Sequence, residues 1–299
     1  MFGNRTLKGV FLVALGASSY GMLATFVKLA YQQNYTTAEV TTSQFVIGII
    51  IMLCINGIQG IRKKQAVVKA TTRNIFQLML AGTSLGMTSV FYYLAVKYIP
   101  VSIGIVLLMQ TVWMGVLLEW ILDKQAPSKL KLMAVGIVVI GTALATNSLN
   151  SDVHWDWRGV AWGLLAASSF TATMFTANRI ALGVSSAQRS LYMLLGGAII
   201  VFGFSLYTQT RPFQYDIFYT WGLFIAIFGT VIPPILMNAG FPLTGIGLGS
   251  IVSSLELPVS VMMAFMLLHE EVLLVQWIGI ALILGAIVLM NWNMNKKAD

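Results

Sequence analysis

The sequence predicts an all-α integral membrane protein: ten transmembrane helices in two inverted five-helix repeats, with both termini cytoplasmic. Three observations carry that expectation. Hydrophobic residues make up 58% of the 299 positions and charged residues only 9%, against about a quarter charged in a soluble domain. Apolar windows near the roughly 20 residues that cross a hydrocarbon core recur along the whole chain. The basic residues, finally, crowd into alternate linkers.

The windows fall at 7–31, 39–59, 74–95, 101–122, 130–147, 159–178, 190–208, 219–239, 247–268 and 273–292. Short linkers between them hold most of the Lys, Arg, Asp, Asn and Pro. A β-barrel would show alternating polarity over ~10-residue stretches, whereas Val10–Gly16 and Ile246–Ser254 show unbroken apolar character. The first window runs on to Tyr31, past the 7–15 apolar residues of a cleaved signal, and reads as a retained span. Cys54 is the only cysteine, which leaves no internal disulfide and no cysteine-rich metal site.

The net charge of +8 is a topology signal rather than a nucleic-acid footprint. With the N-terminus inside, the inner segments hold Arg5, Lys8, Arg62, Lys63, Lys64, Lys69, Arg73, Lys124, Lys129, Lys131, Arg179, Arg189, Lys296 and Lys297. The outer segments hold Lys97, Arg158 and Arg211, with Lys28 inside a span. Fourteen against three obeys the positive-inside rule, and a helix more or fewer would scramble the split.

The halves, 1–148 and 149–299, also resemble each other. Gly9-Val10 matches Gly159-Val160, Ala17-Ser18-Ser19 matches Ala167-Ser168-Ser169, and Tyr20 matches Phe170. Gly82-Thr83 falls on Gly229-Thr230 and Gln110 on Glu256, while Gly136 and Gly141 match Gly279 and Gly285 with one residue of slippage. Five spans per half force the second copy to enter from the opposite side. Such inverted repeats place a substrate site near the midplane between the halves.

Several stretches resemble the drug/metabolite transporter superfamily, of the EamA type, over nearly the full length. They are Gly16-Ala17-Ser18-Ser19-Tyr20-Gly21, Tyr92 to Pro100, and above all Ser254-Leu255-Glu256-Leu257-Pro258-Val259 followed by His269-Glu270 and Gln276-Trp277-Ile278-Gly279. Pro258 sits one place later than is usual in the family, and His269 replaces a usual Gly. Gln44 stands where the family often has Arg. The resemblance implies a ten-helix, two-repeat transporter with both termini inside, and leaves the substrate open.

Glu256 is the most informative residue, because a charge in mid-span costs at least about 2.5–3.5 kcal/mol and should face a polar cavity or a partner. The plainer reading is a packing hydrogen bond. Pro258 removes a backbone donor two residues on, which gives either a locally broken helix beside a polar cavity or an ordinary packing kink; Pro233-Pro234 carries the same argument. Gln110 and, at i+3, Trp113 are substrate-lining candidates, as are Tyr20, Tyr92, Tyr93, Phe170 and Asn238. Gly245, Gly247 and Gly249 read as a hinge or as close packing. Lys28 and Glu119 lie near span ends and can snorkel, while Arg179 and Arg189 belong to an inner loop.

No catalytic set stands out. His269-Glu270-Glu271 lacks zinc-protease spacing, and His154 with Asp152 and Asp156 reads as a solvated loop. Neither metal nor cofactor is expected, nor a nucleotide or nucleic-acid site. The expected activity is secondary active transport of a small polar, amino-acid-like metabolite across a bacterial inner membrane, with a proton as candidate coupling ion. The alternatives are an uncoupled facilitator or exchanger and, in another class, a membrane scaffold or intramembrane enzyme.

Overall fold

Helices account for nearly all of the computed structural model, which describes residues 2–62, 70–95, 98–99, 101–146, 156–269 and 271–295. Lys63, Lys64, Lys69, Lys97, Pro100, Asp152, His154, Glu270, Lys296 and Lys297 lie outside the described residues. Among those described there is no strand. The helices are α1 Phe2–Gln32, α2 Thr37–Arg62, α3 Thr72–Ala95, α4 Val101–Leu108, α5 Thr111–Asp123, α6 Lys129–Ala145 and α7 Trp157–Arg179. There follow α8 Ser186–Thr208, α9 Ile217–Thr220, α10 Gly222–Ala226, a π-helical turn Ile227–Val231, α11 Ile232–Thr244, α12 Ile246–Ser253, α13 Glu256–Leu268 and α14 Leu274–Asn295.

Eight stretches of the described residues are long and apolar enough to cross a membrane. Two of the ten expected windows fall short of that length: α6 has 17 residues, and the apolar run of α14 covers Leu274–Leu289. These two pack on each other. A side chain at Gly279 would strike the backbone of Gly141 and Ala145, so one glycine from each of the two matched pairs meets the other face to face. Their partners Gly136 and Gly285 touch nothing.

Local chemistry starts the helices. Asp156 accepts the Arg158 N–H at 2.9 Å, and Ser128 and Ser185 cap α6 and α8 in the same manner. At α2, Thr36 and Glu39 form a reciprocal capping box, with Thr36 N–H donating to Glu39 at 2.6 Å and Glu39 N–H to Thr36 Oγ1 at 3.1 Å. The Ser185 cap places the start of α8 before Arg189, so Arg189 is not a loop residue as expected. It is buried, with 2% of its surface exposed.

The repeat counterparts α1 and α7 lie at the centre. α1 packs on α11 and α13, α7 on α3 and α4, while α3 and α2 pack on α8 and α5 packs on α12. The core between them includes Val13, Val112, Met174, Phe241 and Ile251. Small residues allow the closest approaches: Gly82 and Gly86 on α3 meet the Met193 and Gly197 backbone on α8, and Gly115 on α5 meets Ser250 on α12.

Spans four and nine are each broken in the middle, in matching fashion. An 8-residue helix is followed by a two-residue break and a 13-residue helix in both halves. Both 13-residue helices end on a left-handed residue, Lys124 and His269, each at φ 54°. This register corrects the expected one by a residue. Gln110 corresponds to Leu255, and the counterpart of Glu256 is Thr111.

Candidate functional site

The two breaks arise from different chemistry. In span nine, Pro258 has no N–H to give the carbonyl of Ser254, four residues back. Leu257 N–H takes that carbonyl instead, at 3.2 Å, which tightens the turn and sets Glu256 at the head of α13. In span four no proline is present. There the Gln110 side-chain amide donates to the carbonyl of Val106 at 3.0 Å, the acceptor that its own backbone N–H would use in a regular helix. The backbone N–H turns to Leu107 at 3.1 Å. A side chain thus does in one half what proline does in the other.

Glu256 is half-buried, and among the described residues its carboxylate makes no hydrogen bond or ion pair. Gly21 on α1 lacks the side chain that would strike the Glu256 carbonyl and Val259, so α1 lies directly against the head of α13. Its repeat counterpart is Thr171 on α7, which shares a 2.8 Å hydrogen bond with Thr111. One half therefore seals this crossing with two buried hydroxyls. The other leaves a carboxylate beside a glycine.

Two tyrosines stand near that carboxylate, and two more continue from them. Tyr20 on α1 and Tyr92 on α3 lie within electrostatic reach of Glu256. Tyr92 meets Tyr93 edge-on with ring centres 6.0 Å apart, and Tyr93 shares a hydrogen bond with Tyr31. Tyr31 in turn donates to Thr37 Oγ1 at 3.3 Å. All four rings are half-buried. Tyr20 also stands edge-on to Phe170, its repeat counterpart, at 6.2 Å, so that ring pair marks the seam between the halves.

The sequence profile of the EamA-like transporter family matches residues 7–147 and, a second time, 157–292. The chain belongs to the EamA-like transporter family. Its architecture is accordingly the two-repeat one, and its general role that of a multi-pass membrane transporter of the drug/metabolite type. No curated protein matches the sequence. A crystal structure of another protein superposes with a TM-score of 0.80 over 98% of this chain and 97% of its own, at 14% identity, a likeness of fold alone.

Other expected site residues of this EamA-like chain are placed differently. Gln110 has both ends of its amide engaged, since Oε1 accepts from Trp113 at 2.8 Å. Trp113 is 38% exposed and shares its helix face with exposed Leu117, Trp120 and Ile121. That face turns away from the core, and Trp113 does not join the tyrosines around Glu256. Asn238 is buried and lines a separate cavity of about 20 Å³ with Tyr20, Phe170, Thr173, Met193 and Pro234, room for one water molecule. Pro233 and Pro234 follow the π-helical turn, where Phe228 has no donor five residues on; Ser19 donates to its carbonyl at 3.1 Å. Gly247, with Gly245, leaves space for the Glu119 carboxylate, which pairs with Lys131. Glu119 is thus a contact between α5, α6 and the start of α12 rather than a snorkelling charge.

Two buried ionised side chains escape a reading by hydropathy. Glu39 is fully buried and, beyond its capping box, accepts from Gln209 at 3.0 Å, Gln214 N–H at 2.9 Å and Arg211 at 3.2 Å. The Thr36-x-x-Glu39 spacing is the signal that finds it. Arg189 donates to the carbonyls of Asn238 at 2.7 Å, Thr176 at 3.1 Å and Ala177 at 2.5 Å.

Proposed function

We propose that this chain is a secondary active transporter that moves a small polar metabolite across the inner membrane by alternating access, with Glu256 as its central anchor. The observation that carries the reading is the unpaired carboxylate at the break of span nine, in a chain of a transporter family. An intramembrane charge without a partner marks a substrate or ion path, and broken helices with midplane sites recur in transporters built from repeats. Ten spans, inverted halves divided near residue 148 and cytoplasmic termini complete the reading. α5 packs on α12, whereas no comparable contact joins α4 and α13. That asymmetry between equivalent pairs supports a state closed at the inner half and open at the outer half. Exchange of the two contacts would open the other side.

Glu256 then binds substrate or a proton as the two halves open and close around it. Glu256→Gln keeps the shape and fixes the neutral form. Proteoliposomes carrying it should lose gradient-driven accumulation by at least about tenfold, the scale on which one charged contact acts. Accumulation at the wild-type rate would remove Glu256 from the mechanism.

The orientation has its own test. In a Cys54→Ser background, Ala66→Cys and Lys297→Cys should react only with reagents reaching the cytoplasmic side, and Val153→Cys only from outside. External labelling at position 66 would overturn the span assignment.

A further inference from the structure

We infer that Glu119 latches the inner half shut, with its carboxylate held by Lys131 and seated against the start of α12. The outer half has no equivalent, so the protein rests open to the outside. This rests on the reading of the chain as an alternating-access transporter, and names the residue that sets its resting state.

The latch joins the halves at one point. Glu119 comes from α5 and Lys131 from α6, both of the first half, while α12 belongs to the second. The paired side chains are only 19% and 20% exposed. Gly245 and Gly247 form the seat. A Cβ on Gly245 would fall 2.7 Å from Glu119 Oε1, and one on Gly247 would strike Glu119 Oε2 and crowd Lys131 Nζ at 3.1 Å. The start of α12 has no capping side chain, and open N–H groups at a helix start favour a negative charge. One turn deeper, Gly115 leaves room for Ser250, whose hydroxyl donates to the Val112 carbonyl at 3.2 Å. Val112, Gly115 and Glu119 thus form one stripe of α5 that meets α12.

The other half lacks every charge of this device. The register of the broken spans puts Ala264 at the position of Glu119, and the start of α14, Leu274-Val275-Gln276, stands in place of Lys131. None of these side chains ionises, and the Gln276 amide is engaged with Ala145 and Leu273. The outer half can therefore part on apolar contact alone, whereas opening the inner half must also lift α12 off a carboxylate. A second ion pair, Arg179 with Asp123, joins α7 to the inner end of α5. Its side chains are 39% and 41% exposed, and exposed pairs hold little. Glu119 carries the difference.

The test uses the full-length chain with Cys54→Ser in membrane vesicles of either orientation, and a membrane-impermeant maleimide. One reporter is Val116→Cys, buried on α5 between Gly115 and Glu119; the other is its repeat counterpart Val261→Cys on α13. Glu119→Gln should speed labelling of Val116→Cys from the cytoplasmic side by at least about fivefold, the low end of ordinary couplings between states. Labelling of Val261→Cys from outside should hold or fall. Gly247→Ala should act in the same direction, although alanine strengthens a helix, because its methyl displaces the carboxylate. Lys131→Met added to Glu119→Gln should change the rate by no more than about twofold, since the ammonium acts through the carboxylate. Asp123→Asn should likewise stay within about twofold. An unchanged Val116→Cys rate in Glu119→Gln would overturn the latch, as would a rise of both reporters together, which general loosening gives. The transporter reading fails separately. If neither reporter reacts from its own side in any variant, the halves do not alternate, and the latch falls with them. If labelling follows the expected pattern while Glu256→Gln accumulates substrate at the wild-type rate, the latch stands and Glu256 loses its central role.

Discussion

Arg189→Leu should destabilise the protein by on the order of 2–4 kcal/mol, because each buried acceptor left without a donor costs about 1–3 kcal/mol. The residue explains itself through a proline. Pro242 lies inside α11 and has no N–H for the carbonyl of Asn238, four residues earlier. Arg189, from the first turn of α8, donates to that carbonyl at 2.7 Å. Its other nitrogen reaches Thr176, whose carbonyl also takes the Ile180 N–H at 3.0 Å, and Ala177 in the last turn of α7, where the dipole favours a cation. One guanidinium thus joins three helices without a carboxylate among its partners. Leucine fills part of the space and donates nothing. It also removes a buried charge and the cost of burying it, so the expected loss is smaller than three separate acceptors would give.

A second substitution makes this account specific. Pro242→Ala restores a backbone N–H within reach of the Asn238 carbonyl, so Arg189→Leu should cost less in that background by about 1–3 kcal/mol. Arg189→Lys should fall between, since one ammonium cannot span both helix ends as a planar fork does. The measurement is unfolding in mixed micelles, followed through tryptophan emission. Equal costs of Arg189→Leu with and without Pro242 would show that the freed carbonyl is not what the arginine serves.

Arg189 and Glu256 show which parts of the site hydropathy can see. Glu256 is visible because the residues on both sides of it are apolar, so the charge interrupts a span that is otherwise complete. Arg189 sits at an end, where a window that rejects charge begins at Ser190 and assigns the arginine to the linker. The cap at Ser185 carries the missing information, since a helix that starts there takes Arg189 inside. The break in span nine is legible in Pro258. The break in span four is not, because it comes from a side-chain amide that takes a backbone acceptor, and a glutamine in mid-span fits an unbroken helix equally well. Trp113 fails for a related reason. An i+3 spacing puts it on one face with Gln110, but only packing tells which face looks inward, and here exposed Leu117, Trp120 and Ile121 share it.

The tyrosines are legible one at a time and not as a group. Tyr20, Tyr92 and Tyr93 each read as lining candidates, while Tyr31 only marks the end of a window. Their placement near Glu256 depends on how α1 lies against α13, a tertiary fact set by Gly21 against Glu256. Close glycine contacts decide the packing elsewhere too, and they lead to the second large effect.

Gly196→Ala should destabilise the protein markedly, while Gly203→Ala on the same helix should not. Without a hydrophobic drive between helices in lipid, close packing holds α3 to α8. A methyl at Gly196 would collide with the Met79 backbone on α3, including its carbonyl carbon and oxygen. Backbone atoms in the middle of a helix cannot swing aside as a flexible side chain can, so the crossing itself must open. The reciprocal contact of Gly82 with the Met193 backbone would loosen with it. Overpacking of this kind costs about 1–3 kcal/mol, at times more. Gly203, seven residues on, has nothing within 4 Å of a Cβ built on it, and alanine there gains up to about 1 kcal/mol of helix propensity. The two substitutions are the same chemical change on one helix, so expression level, detergent and probe cancel in the comparison. Gly196→Ala should lower the unfolding midpoint and Gly203→Ala should hold or raise it. Equal midpoints would mean that α3 and α8 are not in backbone contact at this crossing. With Gly82→Ala in addition, the loss should be less than the sum of the two single losses, since a crossing already opened at Gly196 has less contact left to lose at Gly82.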